Sequence, residues 1–138
     1  MVVGIIAIVL GGGWLFSSEP WMLDQHANEV ALQISFSELF SHNINSHLPD
    51  YLTIIYRFFG WWVITIGLLL TTFVQVTRMG TPLSRKVIHS VLVIMLIGLY
   101  TLEISFIPSS PFLWLTHGIT ILLGMSIWAG TKLRSFDS

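Results

Sequence analysis

Apolar residues fall along the chain in four blocks, Val2 to Phe16, Tyr51 to Thr77, Val87 to Ile107 and Pro111 to Gly130, and most of the charges lie between or after them. Phe58 to Thr77 runs for twenty residues without a formal charge, the length at which a helix of about 20 apolar residues crosses a bilayer. The first block is shorter, lacks a positively charged start and is followed by Ser17-Ser18-Glu19-Pro20 rather than a small-residue cleavage site. It is therefore expected to stay as a span and not to leave as a signal peptide. The pattern predicts spans at about 2–17, 51–77, 86–107 and 111–131.

Residues 18–49, between the first two spans, read differently. Leu32, Phe36, Leu39 and Phe40 recur at i, i+4, i+7 and i+8, with Gln33, Ser37 and Glu38 between them, which predicts an amphipathic helix. Ser18 before Glu19-Pro20 reads as a helix start, Asn43-Ile44-Asn45-Ser46 as a turn, and Pro49-Asp50 as the beginning of the second span. A helix resting on anionic lipid usually carries a basic polar face. This one is acidic and is expected to cap its own bundle or a partner.

Within the spans, a 100° step per residue places Arg57, Trp61, Ile64, Leu68, Thr71 and Gln75 near one line, with Gly60 and Gly67 one heptad apart on an adjacent face. Small residues at that spacing let helices approach closely in a membrane. Gly11-Gly12-Gly13 offers the same in the first span, or else loosens its end. His89, Leu96, Tyr100 and Glu103 share a stripe of the third span, and His117, Gly124 and Trp128 a face of the fourth. The turn between them, Pro108 to Pro111, is so short that the two must pack antiparallel.

Composition narrows the class. The 138 residues are 54% hydrophobic and 9% charged, against about 25% charged in an ordinary globular domain. We read a single all-α membrane domain covering residues 1–138, an integral membrane four-helix bundle. The distribution of charge then orients it. Ser17 to Asp50 holds Glu19, Asp24, Glu29, Glu38 and Asp50 and no Lys or Arg, whereas Arg78, Arg85, Lys86, Lys132 and Arg134 lie on the other side of the predicted bundle. Short basic loops stay cytoplasmic, so both termini are expected inside, in a bacterial inner membrane, with the acidic segment outside. These bases are accounted for by orientation, and nucleic acid is not a predicted partner. With no cysteine, disulfide, thiolate and Cys-ligated metal chemistry is excluded.

Arg57 is the one base on the acidic side. Counted from the last turn, Glu103 and His117 lie at nearly equal depth, and Arg57 lies within about 10 Å of them at 1.5 Å per residue. An uncompensated charge at the bilayer centre costs about 2.5–3.5 kcal/mol even on lenient insertion scales, so an outer-leaflet cluster of Arg57, Glu103 and His117 is expected, with Tyr56, Tyr100 and Trp61 around it. The bland alternative has Arg57 snorkelling to headgroups and Glu103 reaching water.

His89 and His117 lie at opposite depths and do not suit one haem iron. No cofactor is predicted; haem or quinone would need a partner. His42 and His47, near Glu38 and Asp50, are the weak metal candidates. Trp14, Trp21, Trp61, Trp62 and Trp114 crowd the outer side and Trp128 the inner, as an interfacial belt or a pocket lining. No phosphate loop, nucleophile elbow or zinc-protease motif is present, and no catalytic residue is identified.

The stretch YRFFGWWVITIGLLL, followed by a charged loop and a last hairpin of small-residue-rich helices, resembles the DoxX-like group of small four-helix membrane proteins over roughly Tyr51 to Gly130. The resemblance implies a four-helix membrane fold and a link to redox enzymes or to assembly of other membrane proteins, and it transfers no site residue. Two functions stay open. One is a non-catalytic subunit or accessory partner of a larger membrane complex, bound to another membrane protein or to its own copies. The other is a pocket around Arg57, Glu103 and His117 that binds or turns over a lipid, quinone or other small apolar ligand.

Overall fold

Every regular element of the computed structural model, which describes residues 1–134 and the side chains up to Lys132, is helical. The side chain of Arg134, one of the bases used above for orientation, lies outside the described residues. In chain order the elements are α1 (Val2–Phe16), a 3₁₀ turn (Pro20–Asp24), α2 (Gln25–Leu32), α3 (Phe36–Ser41), a second 3₁₀ turn (Asn43–Asn45), α4 (Leu48–Thr77), α5 (Pro82–Phe106) and α6 (Phe112–Arg134). Among the described residues, α4, α5 and α6 are long and apolar enough to cross a membrane, and α1 is a shorter apolar helix. At 1.5 Å per residue α1 is only about 22 Å long.

The chain divides into two units, Met1–Val76 and Thr77–Ser138. In the first, α1 lies antiparallel on α4 through two glycine pairs. A Cβ placed on Gly11 would come 2.5 Å from the Gly60 carbonyl oxygen, and one on Gly67 would come 2.6 Å from the Gly4 carbonyl oxygen. No real side chain tolerates such distances, so the backbones themselves are in contact, as small residues permit between membrane helices. The seam on α4 therefore runs through Gly60, Ile64, Gly67 and Thr71. Arg57, Trp61, Leu68 and Gln75, on the line singled out from the sequence, are exposed. Of the glycine triplet only Gly11 makes the contact, since a Cβ on Gly12 would meet nothing within 4 Å.

The expected single amphipathic helix between the first two apolar blocks is two short helices. Gln33 closes α2 in the left-handed region at φ 57°, and Ser35 caps α3, its hydroxyl accepting from the Glu38 N–H at 3.2 Å. The predicted start at Ser18 also shifts: Pro20 opens a 3₁₀ turn after Glu19, with no side-chain cap. Trp21, Ala27 and Phe36 form a small core here, in which Phe40 stacks on Phe36 and meets Trp21 edge-on. Glu29 Oε1 joins the two helices by accepting from Gln25 Nε2 at 3.0 Å and from the Phe36 N–H at 2.9 Å. These bonds, the Gln25 amide foremost, hold the Glu29 carboxyl below its ordinary range. Asn28 Nδ2 donates to the Trp21 carbonyl at 3.2 Å and to Tyr56 Oη at 3.0 Å, tying the segment to α4.

The second unit is the antiparallel hairpin of α5 and α6. Thr81 caps α5 by accepting from the Ser84 N–H, and Pro82 occupies the first turn, where its missing N–H costs nothing. Ile88, Leu92 and Leu96 of α5 are buried, as are Ile119 and Leu123 of α6.

Candidate functional site

The apolar middle of the α5–α6 seam is bounded at both ends by hydrogen-bonded polar side chains. Nearest the Pro108–Pro111 turn, the Thr116 hydroxyl donates to Glu103 Oε1 at 2.8 Å. Both residues are buried, at 2% and 5% exposure, and Glu103 Oε2 has no hydrogen-bond partner among the described residues. One turn earlier on α5, Tyr100 Oη lies 2.7 Å from His117 Nδ1 and 3.0 Å from Thr120 Oγ1, whose own hydroxyl donates to the Thr116 carbonyl. The His117 ring packs between Tyr100 and the edge of Trp114, at centroid distances of 5.4 and 5.9 Å. Beyond the apolar layers, His89 Nε2 meets Ser126 Oγ at 3.0 Å.

Helical spacing explains the arrangement. His89, Leu92, Leu96, Tyr100 and Glu103 follow the alternating three- and four-residue steps that keep a seam facing one partner. The stripe read from the sequence is therefore the contact face of α5. On α6 the seam is Thr116, Ile119 and Leu123 rather than the line through His117, Gly124 and Trp128. Gly124 and Trp128 are exposed, with Lys132 Nζ 4.1 Å above the Trp128 ring. His117 reaches the seam only by leaning back to Tyr100. Thr116 and Thr120, which complete the polar group, were not singled out from the sequence. Their signal is the four-residue spacing that puts two hydroxyls opposite Tyr100 and Glu103.

Of the expected outer cluster, the hairpin brings together Glu103, His117 and Tyr100, with Thr116 bonded to Glu103 and Thr120 to Tyr100. Arg57 belongs to the first unit and is exposed, as are Phe58, Phe59, Trp61 and Trp62 on the same stretch of α4. Tyr56 is half-buried and bonds Asn28 of the segment before α4. Trp14 is buried against Phe59 at 5.1 Å, and Trp21 is buried beside Phe40. An interfacial belt thus fits Trp61, Trp62, Trp114 and Trp128, all exposed, and Trp14 and Trp21 serve packing instead.

His89 and His117 sit opposite Ser126 and Tyr100, and the eleven residues from 89 to 100 span about 16 Å of helix, too far for one iron. His42 and His47 are exposed, and among the described residues no group of three or more His, Asp or Glu gathers in a way that would hold a metal ion. Chemically, the Glu103 group offers a buried carboxyl with one bonded and one unpartnered oxygen, one turn from a tyrosine–imidazole hydrogen bond. Comparison with protein-family models, curated proteins and solved structures finds no match to this chain.

Proposed function

We propose that the chain is a small non-catalytic membrane protein that serves as a subunit or accessory partner of a larger membrane complex. Arg57 carries this reading. A guanidinium at the margin of an apolar helix, exposed among Phe58, Trp61 and Trp62, is an aromatic and arginine surface of the kind that anchors protein interfaces. A partner carboxylate would also relieve the cost of placing its charge in lipid. The proposal includes a bacterial inner membrane, both termini cytoplasmic and α1 as a fourth membrane helix. The glycine contact of α1 with α4 and the placement of the bases support that topology. A place near the DoxX-like group belongs to the same proposal.

A second reading is favoured by the unpartnered Glu103 Oε2: a pocket around Glu103 and His117 that binds or turns over a lipid, quinone or similar apolar molecule. Purification from the native membrane in mild detergent separates the two. A stable protein partner, or a defined homo-oligomer, that survives Glu103→Gln and is lost on Arg57→Leu supports the accessory reading. A lone chain that copurifies with an apolar ligand, released by replacing Glu103 or His117, would sink it.

A further inference from the structure

At the end of the hairpin away from Glu103, α5 and α6 part around a groove of about 470 Å³. Arg85, Lys86 and His89 stand at its polar end, and Val93, Ile94 and Ile127 continue it toward the middle of the helices. No Asp or Glu lines it among the described residues. The His89 ring is held by Ser126, and among the described residues no acid stands beside the two fixed charges. Arg85 Nη1 donates to the Met79 carbonyl at 3.1 Å, and Nη2 is buried with no acceptor among the described residues. Lys86 is exposed.

We infer that this groove binds an anionic phospholipid of the leaflet that surrounds the start of α5. The headgroup phosphate meets Arg85 and Lys86, and the upper part of an acyl chain lies along Val93, Ile94 and Ile127. The inference needs α5 and α6 to cross a bilayer and does not depend on the accessory reading. Three features select this occupant. Two bases in a lining that holds no acid among the described residues suit a net negative headgroup, since a zwitterionic lipid brings its own cation into the same space. Basic pockets between membrane helices are where anionic headgroups bind, and here the arginine adds its charge while the exposed Lys86 is the base free to make the contact. The change from charge to hydrocarbon between Lys86 and Ile94 covers eight residues, about 12 Å along the axis. That span fits a molecule with a phosphate at one end and a chain at the other, and free phosphate would leave the apolar half empty.

Gly130 shapes the opposite wall. A Cβ there would lie 3.8 Å from Arg85 Cδ, so the arginine stem runs past bare helix backbone, and a branched side chain at this position would fill the groove against that stem while leaving both charges present. Arg85 also braces a strained turn in which Arg78 and Met79 have φ of 47° and 53°. Lys86→Gln and Gly130→Leu are therefore cleaner probes than a change at Arg85.

The test is native mass spectrometry of the full chain in detergent, titrated with phosphatidylglycerol and, separately, phosphatidylcholine. Phosphatidylglycerol is expected to bind several-fold more tightly. Lys86→Gln should weaken it about fivefold, the factor that corresponds to about 1 kcal/mol for one base near an anionic surface. Gly130→Leu should abolish the preference, whereas Arg78→Gln, at a base outside the groove, should leave it unchanged. Equal binding of the two lipids, equal losses from Arg78→Gln and Lys86→Gln, or full binding in Gly130→Leu would each overturn the assignment.

Discussion

The Thr116 hydroxyl reaches across the hairpin to Glu103 at 2.8 Å, and among the described residues it is the one hydrogen bond this buried carboxyl group receives. Removing the donor while keeping the shape leaves both carboxylate oxygens without a partner in a place that water does not reach, at a cost of about 1–3 kcal/mol. Thr116→Val is accordingly expected to lower the thermal unfolding midpoint of the detergent-solubilised protein by several degrees. Thr116→Ser, which retains the donor, should lose much less. An unchanged midpoint in Thr116→Val would mean that the bond contributes nothing.

The glycine contacts predict opposite outcomes at two adjacent positions. At Gly11 a side chain would collide with the Gly60 carbonyl and Ile64, so Gly11→Leu should destabilise the α1–α4 pair by about 1–3 kcal/mol through overpacking. At Gly12 there is open space, and Gly12→Ala should be neutral or stabilise by up to about 1 kcal/mol through helix propensity. Chemical unfolding of the two variants beside the parent protein measures the contrast.

Hydropathy contrast explains which parts of this arrangement were legible in the sequence. On α5 the polar members His89, Tyr100 and Glu103 marked the stripe against an apolar background, and the stripe is the seam. On α6 the side toward α5 and the side away are both apolar or small, so nothing in the pattern separated Ile119 and Leu123 from Gly124 and Trp128. The Gly60 and Gly67 strip was visible from spacing alone, but its occupant, α1, was not. The break between α2 and α3 rests on a left-handed Gln33, a residue type that does not announce a helix end, and the Ser35 cap was masked by the continuing 3.6-residue period through Phe36 and Phe40.

Acid is expected to loosen that break first. The folded-state pKa of Glu29 lies below the ordinary carboxylate value, chiefly through the Gln25 amide and then the Phe36 N–H. A depressed carboxylate contributes stability that is present above its unfolded-state pKa and is lost as pH falls through the lower folded one. Tryptophan fluorescence from the Trp21 core should report a change on acidification below the usual carboxylate range. Glu29→Gln should reduce the amplitude of that change and weaken the segment at neutral pH. A change of equal amplitude in the variant would assign the transition to another acid.

Tyr100 and His117 should prove energetically coupled. Tyr100→Phe removes the hydroxyl from both His117 and Thr120, and a double-mutant cycle with His117→Phe is expected to give an interaction energy of about 0.5–1.5 kcal/mol. Additive losses would show that the short contact is geometric only.

Two glycine pairs one heptad apart do more than bring α1 close to α4; they act as a two-point register. Sliding α1 by a fraction of a heptad sets Ile5, Ile8 or Leu15 against bare backbone, and sliding it by a whole heptad leaves a single pair engaged. The height at which α1 hands over to the 3₁₀ turn at Pro20 is thus set from within the helix pair, by where side chains are missing. The Trp21 core and the Asn28–Tyr56 bond are built from that fixed height, so an insertion of one residue between Gly11 and Pro20 should disturb the folded segment downstream of it.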